Sequence, residues 1–283
     1  MLKIVSDSTC DLSRELLDRY DIGILPLNIV LGEESFQDGK DIGPDEIYAW
    51  SDEHNTTPKT SACSVEQAAS FFKTYIDNGD EVICFAISES MSSSINSMRL
   101  AAKSLKAEDR ITIIDSANLS TGVGLQVIEA AVMAQEGKTA AEVTSRIEEL
   151  KPLVRASFVV DTLTYLHRGG RCSGMAALLG GALKLHPRIV VSGGKMSPDK
   201  KYRGKMNRII LHYAEDMEAD LLKAKTDRVF ITHSGCDEEV IQSVRTYLEG
   251  RARFDEILVT RAGGVISSHC GPGTLGVLFI AGE

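Results

Sequence analysis

The run EVICFAIS (residues 81–88) is apolar or small at every position between its charged first residue and its final serine. RITIIDS (110–116) is a second run of this kind, and a segment with helical periodicity (92–106) lies between the two. Strands that do not alternate between polar and apolar residues are typical of parallel sheets, in which crossover helices cover both faces. The sequence therefore predicts a doubly wound α/β domain.

The same alternation extends to the start of the chain. KIVSDS (3–8) is predicted to be a strand, and ILPLNIV (24–30) a second strand, followed by a polar stretch at 32–43. Further helices are predicted at 12–20, 44–53, 64–78 and 120–136.

A second set of strands and helices begins after Pro152, so we expect two domains, residues 1–154 and residues 155–283, each of the α/β class. A hairpin is predicted at 188–198, around Ser192-Gly193-Gly194. The other predicted strands are 156–162, 228–232, 256–260 and 275–280, and the predicted helices are 174–185, 205–224 and 237–249.

Composition excludes several classes of protein. The 283 residues include 31 basic and 40 acidic side chains, a net charge of −9, which counts against non-specific nucleic-acid binding. No signal peptide is recognisable, and no apolar run reaches the ~20 residues that span a bilayer. The six cysteines are scattered, which argues against a disulfide framework or a structural zinc site and favours a reducing cytoplasm.

Polar residues follow several predicted strands. The stretch 7–12 (DSTCDL) either caps the next helix or lines a site at the carboxyl edge of the sheet, and capping is the simpler interpretation. In TPKTSACSVEQ (57–67), Ser64 and Gln67 match a capping box. This leaves the hydroxyls of Thr60 and Ser61 free to face a ligand, or simply exposed in a solvated loop.

Three consecutive serines, Ser92, Ser93 and Ser94, stand where a helix is predicted to begin. Hydroxyls, unpaired backbone N–H groups and the positive end of the helix dipole make such a position suitable for an anion. No glycine-rich loop with a lysine follows, so a carboxylate or a single phosphate suits it better than a nucleoside triphosphate. Capping alone is an equally good interpretation.

Arginines and one histidine complete the candidate residues. Arg168 and Arg171 flank a Gly-Gly turn, where they either bind an anion or form a solvated basic turn, and Arg203 adds a further charge. His269 and Cys270 are adjacent, but neighbours in a strand point to opposite faces, which disfavours a catalytic dyad. No G-x-S-x-G or H-E-x-x-H motif is present.

Taken together, these motifs resemble the DegV family of bacterial fatty-acid-binding proteins, the carrier subunits of fatty acid kinase. The resemblance runs in order along the whole chain. The motifs that carry it are VSDSTCDL (5–12), FQDGKDI (36–42), TSACS (60–64), ISESMSSSINS (87–97), IIDSANLSTGVGLQV (113–127), YLHRGGRCSG (165–174), KYRGK (201–205) and SHCGPGTLGV (268–277).

The resemblance implies a fold and a function. The fold is an N-terminal parallel α/β/α sheet and a C-terminal α/β domain, with one long-chain fatty acid in a tunnel between them. The protein is not itself a catalyst and needs no cofactor or metal. A separate ATP-dependent kinase phosphorylates the bound carboxylate to an acyl phosphate for phospholipid synthesis. The implied partners are the fatty acid and the kinase subunit, with transient membrane contact for ligand exchange.

The family's functional residues fall on named positions of this chain. Its T-S-x-P-S motif and its helix-start segment give the carboxylate-binding residues, its H-x-G-P-G motif a histidine near the head group, and its G-G-R and R-G motifs arginines at the head-group opening or the kinase-docking face. The corresponding residues are Thr60, Ser61, Ser92, Ser93, Ser94, His269, Arg171 and Arg203. Two positions depart from the family pattern: Cys63 replaces a proline and Ser93 a glycine.

Two other hypotheses remain open. The chain is alternatively an enzyme acting through His269, either a small-molecule phosphotransferase related to dihydroxyacetone kinases or a hydrolase. Neither a phosphate-binding loop nor an oriented nucleophile supports that alternative. A regulatory lipid sensor would use the same pocket, and the sequence does not separate it from a carrier.

Overall fold

The computed structural model describes residues 1–171, 185–251 and 253–282. The helix predicted at 174–185 lies outside these residues, except for Leu185, which begins a strand.

Strands and helices alternate along the described chain. The strands are β1 (Leu2–Asp7), β2 (Gly23–Leu25), β3 (Asn28–Leu31), β4 (Glu34–Gln37), β5 (Lys59–Ser61), β6 (Glu81–Ala86), β7 (Ile111–Asp115), β8 (Val154–Val159), β9 (Leu185–Ser192), β10 (Lys195–Arg203), β11 (Ala224–His233), β12 (Glu256–Arg261) and β13 (Leu275–Ala281). The helices are α1 (Arg14–Tyr20), α2 (Pro44–His54), α3 (Val65–Asp77), α4 (Ser94–Ser104), α5 (Thr121–Gln135), α6 (Ala140–Leu150), α7 (Thr164–Arg168), α8 (Met206–Glu215), α9 (Glu218–Leu221), α10 (Glu238–Arg251) and α11 (Gly264–Cys270).

The N-terminal sheet has the strand order β2-β1-β6-β7, and all three pairs are parallel. The parallel sheet predicted from residues 81–88 and 110–116 is therefore confirmed. Both faces of β6 are buried, since five of its six residues are inaccessible. That burial explains why the strand has no polar alternation.

The prediction of one strand at 24–30 was wrong. Pro26 separates two strands, because proline has no N–H to donate to a sheet. β2 belongs to the parallel sheet, whereas β3 lies in a separate antiparallel sheet with the order β4-β3-β5. The polar stretch 32–43 contains β4, which the sequence analysis did not predict.

The C-terminal sheet is mixed, with the order β10-β9-β8-β13-β11-β12. Only β11 and β12 are parallel to each other in this sheet. The hairpin predicted at 188–198 is confirmed and is longer, formed by β9 and β10. The single helix predicted at 205–224 was wrong: α8 ends at Glu215, and a short α9 follows. The sequence analysis also missed α6, which begins with a Thr139–Glu142 capping box.

Helix α5 lies between the two sheets, since it contacts β1 and β6 on one side and β8 and β13 on the other. Residues 121–128 are all buried, as expected for a helix that is apolar around its whole circumference. Its side chains share one hydrophobic cluster with Phe85 of β6 and Phe158 of β8. The strands of the N-terminal sheet all precede Val154, and those of the C-terminal sheet begin with β8 at Val154. The domain division at 154/155 stays a prediction.

His269 lies in a helix, so the strand geometry used to argue against a His269–Cys270 dyad does not apply. Helix α11 spans Gly264–Cys270 and ends at Gly271, whose φ of 73° is in the left-handed region that favours glycine. Adjacent residues of a helix differ in direction by about 100°, so His269 and Cys270 still point to different surroundings.

Candidate functional site

His269 and Thr60 meet at the centre of the candidate site. Helix α11 carries the imidazole and strand β5 carries the hydroxyl, and Nε2 lies 2.7 Å from Thr60 Oγ1. The other ring nitrogen, Nδ1, is buried and has no hydrogen-bond partner among the described residues. It faces the backbone of Gly169, where a β-carbon would overlap the ring. The site thus requires glycine at 169 for close packing.

The imidazole is neutral at physiological pH. Burial, together with the positive charge of Arg171, lowers the pKa of His269 to about 4. A neutral imidazole donates one hydrogen bond and accepts one. Burying a ring nitrogen that carries no hydrogen, without a hydrogen-bond partner, costs less free energy than burying an unpaired N–H group. The arrangement therefore favours the tautomer in which Nε2–H donates to Thr60, which leaves the Thr60 hydroxyl hydrogen free for a ligand.

Arg171 brings a formal positive charge to the same place. Its Nη1 donates to the carbonyl oxygen of Gly169 at 2.8 Å, and its Nε donates to that of Met91 at 3.3 Å. The turn before it needs Gly170, whose φ is 72°. No carboxylate of the described chain forms an ion pair with this arginine, so its charge is available to an anion.

An apolar cavity of about 50 Å³ begins at these residues. Ser61 and Ser92 add hydroxyl groups to its polar end, beside Thr60, Arg171 and His269. The remaining wall is apolar and includes Ile87, Met91, Leu119, Leu166, Met196 and Ile266.

A second apolar cavity, of about 30 Å³, lies beside the first. The two share Leu119, Ile266 and Cys270 as a common wall. Phe158 and Leu278 of the C-terminal sheet line the far side. The second cavity thus lies between this shared wall and residues of the C-terminal sheet.

Of the eight residues expected at the site, five line the first cavity: Thr60, Ser61, Ser92, Arg171 and His269. Ser94 is buried beneath it, and its hydroxyl is 2.8 Å from that of Ser92. Ser93 is exposed and its side chain makes no capping bond to α4. Arg203 lies on β10 in a separate basic surface with Lys201, Lys205 and Arg208.

Asp7 accepts a hydrogen bond from the backbone N–H of Thr9 within a short 3-10 turn, whereas Ser13 caps α1. The interpretation that residues 7–12 cap the next helix was therefore wrong. The capping box of Ser64 and Gln67 is confirmed. Burial raises the pKa of the Cys270 thiol to about 12, which removes it as a nucleophile near neutral pH.

Sequence reasoning missed the partners of α11. Two buried carboxylates, Asp11 and Asp38, accept hydrogen bonds from the first backbone N–H groups of this helix. Both lie in stretches that the sequence analysis had singled out, residues 7–12 and 36–42. Their target is more than 200 residues away, so nothing in the neighbouring sequence indicated it.

Residues 1–171, 185–251 and 253–282 contain no group of three or more His, Cys, Asp or Glu side chains placed to hold a metal ion. None of the helices described within those ranges has the length and apolar character needed to cross a bilayer.

Two sheets pack around the central helix α5, and a mostly apolar cavity lined by a few polar side chains lies within the molecule. The class of protein is therefore an α/β protein that encloses an apolar space. The family model described as "Uncharacterised protein, DegV family" matches residues 1–282. The chain belongs to the DegV family.

Two solved structures have the same fold, and a further relative matches in sequence along the whole chain. A DegV family protein from Thermus thermophilus, described for its fatty acid binding, is 31% identical, and the alignment covers 99% of each chain with a TM-score of 0.91. A stearic acid-binding protein from Eubacterium ventriosum is also 31% identical, with a TM-score of 0.86 over 99% of this chain and 98% of that one. A DegV domain-containing protein of Clostridium perfringens is 31% identical over 281 residues, which are 99% of this chain and 98% of the relative.

Proposed function

We propose that this protein binds a long-chain fatty acid, with the carboxylate at the polar residues of the first cavity and the acyl chain extending through the first cavity into the second. The observation that carries the proposal is that Thr60, His269 and Arg171 line a cavity whose remaining wall, apart from Ser61 and Ser92, is apolar. The Thermus and Eubacterium relatives, which are described as binding fatty acids, support it.

The polar end has the donors that a carboxylate needs. A buried carboxylate without donors would take up a proton instead of remaining charged. The hydroxyls of Thr60, Ser61 and Ser92 can donate to its oxygens, and Arg171 supplies the compensating charge. Thr60, Ser61, Ser92 and Arg171 are therefore the proposed head-group donors, and His269 is a head-group residue that acts by donating to Thr60 and orienting its hydroxyl. Ser93 and Ser94 do not line the cavity and would affect carboxylate binding indirectly, through the position of the first residues of α4.

The acyl chain would be held by burial of its methylene groups, each worth ~0.8 kcal/mol. The two cavities, about 50 and 30 Å³, have room for only a few water molecules. A long chain must therefore move side chains of their walls apart. Met91 and Met196 line the first cavity, and methionine is unbranched and adapts readily to a ligand.

Native mass spectrometry of the purified protein tests the proposal directly. An adduct with the mass of a long-chain fatty acid is expected, and its release should allow an added labelled fatty acid to bind. A protein that carries no lipid and binds no fatty acid at micromolar concentration would refute the proposal.

Thr60→Val tests the head-group assignment, because valine keeps the shape of threonine and lacks the hydroxyl. The affinity for a fatty acid should fall about tenfold, the effect of losing one hydrogen bond to a charged group. Thr74→Val, on the exposed face of α3, is the matched control. Equal affinities for the two variants in a fluorescent fatty-acid displacement assay would contradict the assignment.

We further propose that the protein works in the cytoplasm as a carrier subunit and is not itself an enzyme. A separate ATP-dependent fatty acid kinase would dock near Arg203, and a carboxylate oxygen would attack the γ-phosphorus of ATP. An O–P bond would form, ADP would leave, and the acyl phosphate would supply phospholipid synthesis. The five described cysteines are free, as is typical of a reducing compartment. Transient membrane contact would allow ligand exchange.

Acyl phosphate formation from ATP and the loaded protein, with and without a candidate kinase, tests this role. Formation only in the presence of the kinase is expected, and formation by this chain alone would contradict the carrier role.

One observation favours the alternative of a hydrolase or phosphotransferase that acts through His269: the short Thr60–His269 contact resembles a nucleophile and its base. Two facts oppose it. No described group orients Nδ1, and a pKa of about 4 makes the imidazole a weak base near neutral pH. Ester hydrolysis or ATP turnover by the purified protein, abolished in His269→Ala, would establish the alternative.

A further inference from the structure

Helix α11 receives two carboxylates at its N-terminus, and both come from distant parts of the chain. Asp11 Oδ1 accepts a hydrogen bond from the backbone N–H of Gly263 at 2.8 Å, and Asp38 Oδ1 accepts one from Gly264 at 2.7 Å. Asp11 follows β1 of the parallel sheet, and Asp38 follows β4 of the small antiparallel sheet. The N-terminal sheets thus hold a helix that lies near the C-terminus of the chain.

The two carboxylates are themselves held in place. Asp11 Oδ2 accepts a hydrogen bond from Ser120 Oγ at 2.5 Å, and Asp38 Oδ2 accepts one from Ser8 Oγ at 2.8 Å. Both side chains are buried, with 6% and 4% of their surface exposed. The hydrogen bonds from Ser8 and Ser120 therefore fix both carboxylates in position as acceptors for the N–H groups of α11.

The contact requires glycine at the start of α11. A β-carbon at 264 would overlap Ile29 and Ile47 and would lie 2.8 Å from Asp38 Oδ1. At 263 it would lie 3.2 Å from Asp11 Oδ1. The φ of Gly263 is −65°, which any residue adopts, and its neighbours would need to move by only a few tenths of an ångström, so the close approach requires glycine at 264 and not at 263.

The other end of α11 is held by the C-terminal sheet region. The carbonyl oxygen of Cys270 accepts a hydrogen bond from Thr274 Oγ1 at 3.0 Å, and that of Gly271 accepts one from Ser234 Oγ at 2.5 Å. The helix is consequently attached to both halves of the molecule. His269, its penultimate residue, lies between the two attachments.

We propose that Asp11 and Asp38 are positioning residues for His269: by holding the N-terminus of α11 they keep the imidazole against Thr60 at the polar end of the cavity. A helix of seven residues, about 10 Å long, is too short to be stable by itself. Its place therefore depends on what holds its ends. Asp11 and Asp38 accept hydrogen bonds from two of its otherwise unpaired N–H groups.

The direct test is the NMR titration of His269 in protein labelled at histidine. Asp38→Ala removes the acceptor, and the pKa of His269 should rise from about 4 toward the ordinary value as the ring becomes more exposed. Asp38→Asn, which keeps an acceptor oxygen for the Gly264 N–H, should restore most of the wild-type titration. Unchanged His269 titration in a folded Asp38→Ala variant would overturn the proposal.

A second comparison applies even where Asp38→Ala fails to fold. Asp7→Ala removes a buried carboxylate that bonds to Thr9 and Ile87 and not to α11. Asp11→Ala removes the acceptor of the Gly263 N–H and should shift the His269 resonances more than Asp7→Ala does. Equal shifts in these two variants would show that the effect is one of general stability and would overturn the proposal.

Ligand binding supplies the functional readout and rests on the function proposed above. In Asp38→Ala the affinity for a fluorescent fatty acid should fall about tenfold, as expected when a head-group contact is misplaced. If wild type binds no fatty acid, the proposed function fails, whereas the His269 titration still decides the positioning role. If wild type binds and Asp38→Ala binds equally well with an altered titration, the positioning role for ligand binding is refuted.

Discussion

Replacing His269 by glutamine should make the fold less sensitive to acid. Burial and the nearby Arg171 lower the pKa of His269 to about 4, whereas in an unfolded chain histidine has its ordinary pKa of about 6.5. Between these pH values the unfolded state binds a proton that the folded state does not. The free energy of unfolding of the wild type therefore falls as the pH falls through this range.

The size of the effect follows from the two pKa values. They differ by about 2.5 units, and each unit corresponds to about 1.4 kcal/mol. Between about pH 7 and about pH 4, His269 should thus cost the wild type on the order of 3 kcal/mol relative to the glutamine variant. Burial raises the pKa of Asp7 to about 6 and that of Asp11 to about 8, which acts in the opposite direction. Both carboxyls are present in both proteins, so their contribution cancels in the difference.

Urea unfolding followed by circular dichroism at about pH 7 and about pH 4 measures this difference. The glutamine variant should gain stability relative to wild type on acidification. His54→Gln, on the exposed face of α2, controls for the loss of a histidine far from the cavity. The reasoning is refuted if wild type and His269→Gln lose the same free energy between the two pH values.

Two further predictions concern packing. Gly169→Ala places a β-carbon against the His269 ring, so it should cost about 1–3 kcal/mol of stability and weaken fatty-acid binding. Gly250 in α10 has open space around it, so Gly250→Ala should be neutral or slightly stabilising. Thermal unfolding and fatty-acid displacement on both variants check this, and equal behaviour would contradict the packing argument. Leu125→Ala in the middle of α5 should cost about 2–5 kcal/mol by leaving a cavity between the sheets, while Leu222→Ala, at a 62% exposed side chain, should cost little. Denaturant unfolding measures both, and a small loss for Leu125→Ala would show that α5 is not central to the core.

The contrast between β6 and residues 24–30 shows how far local pattern predicts this fold. The apolar run in β6 is stable when both of its faces are buried, and a parallel sheet covered by helices provides that burial. Residues 24–30 have a similar composition, yet Pro26 allows the chain to leave one sheet for another. Which sheet takes the second half depends on the position of β5, and no residue near Pro26 encodes that position.

The three serines at the start of α4 show the same limit within the site. Ser92, Ser93 and Ser94 have the same chemistry, so the sequence predicts a polar helix start without ranking them. The direction of each side chain depends on the backbone around it: Ser92 lines the cavity, Ser93 faces solvent and Ser94 lies beneath. The assignment of all three to the carboxylate therefore stays a prediction, with Ser92 the one that the geometry favours.

Neighbouring residues alone were enough to predict the parallel sheet, the hairpin at 188–198 and the capping box of Ser64 and Gln67, because each depends on interactions within a few residues or on a simple apolar period. The pairing of Thr60 with His269, 209 residues apart, and the hold of Asp38 on Gly264, 226 residues apart, were decided only in three dimensions. Such contacts form when separate sheets pack around α5. Their geometry therefore depends on the shape of the whole core, which no short stretch of sequence contains.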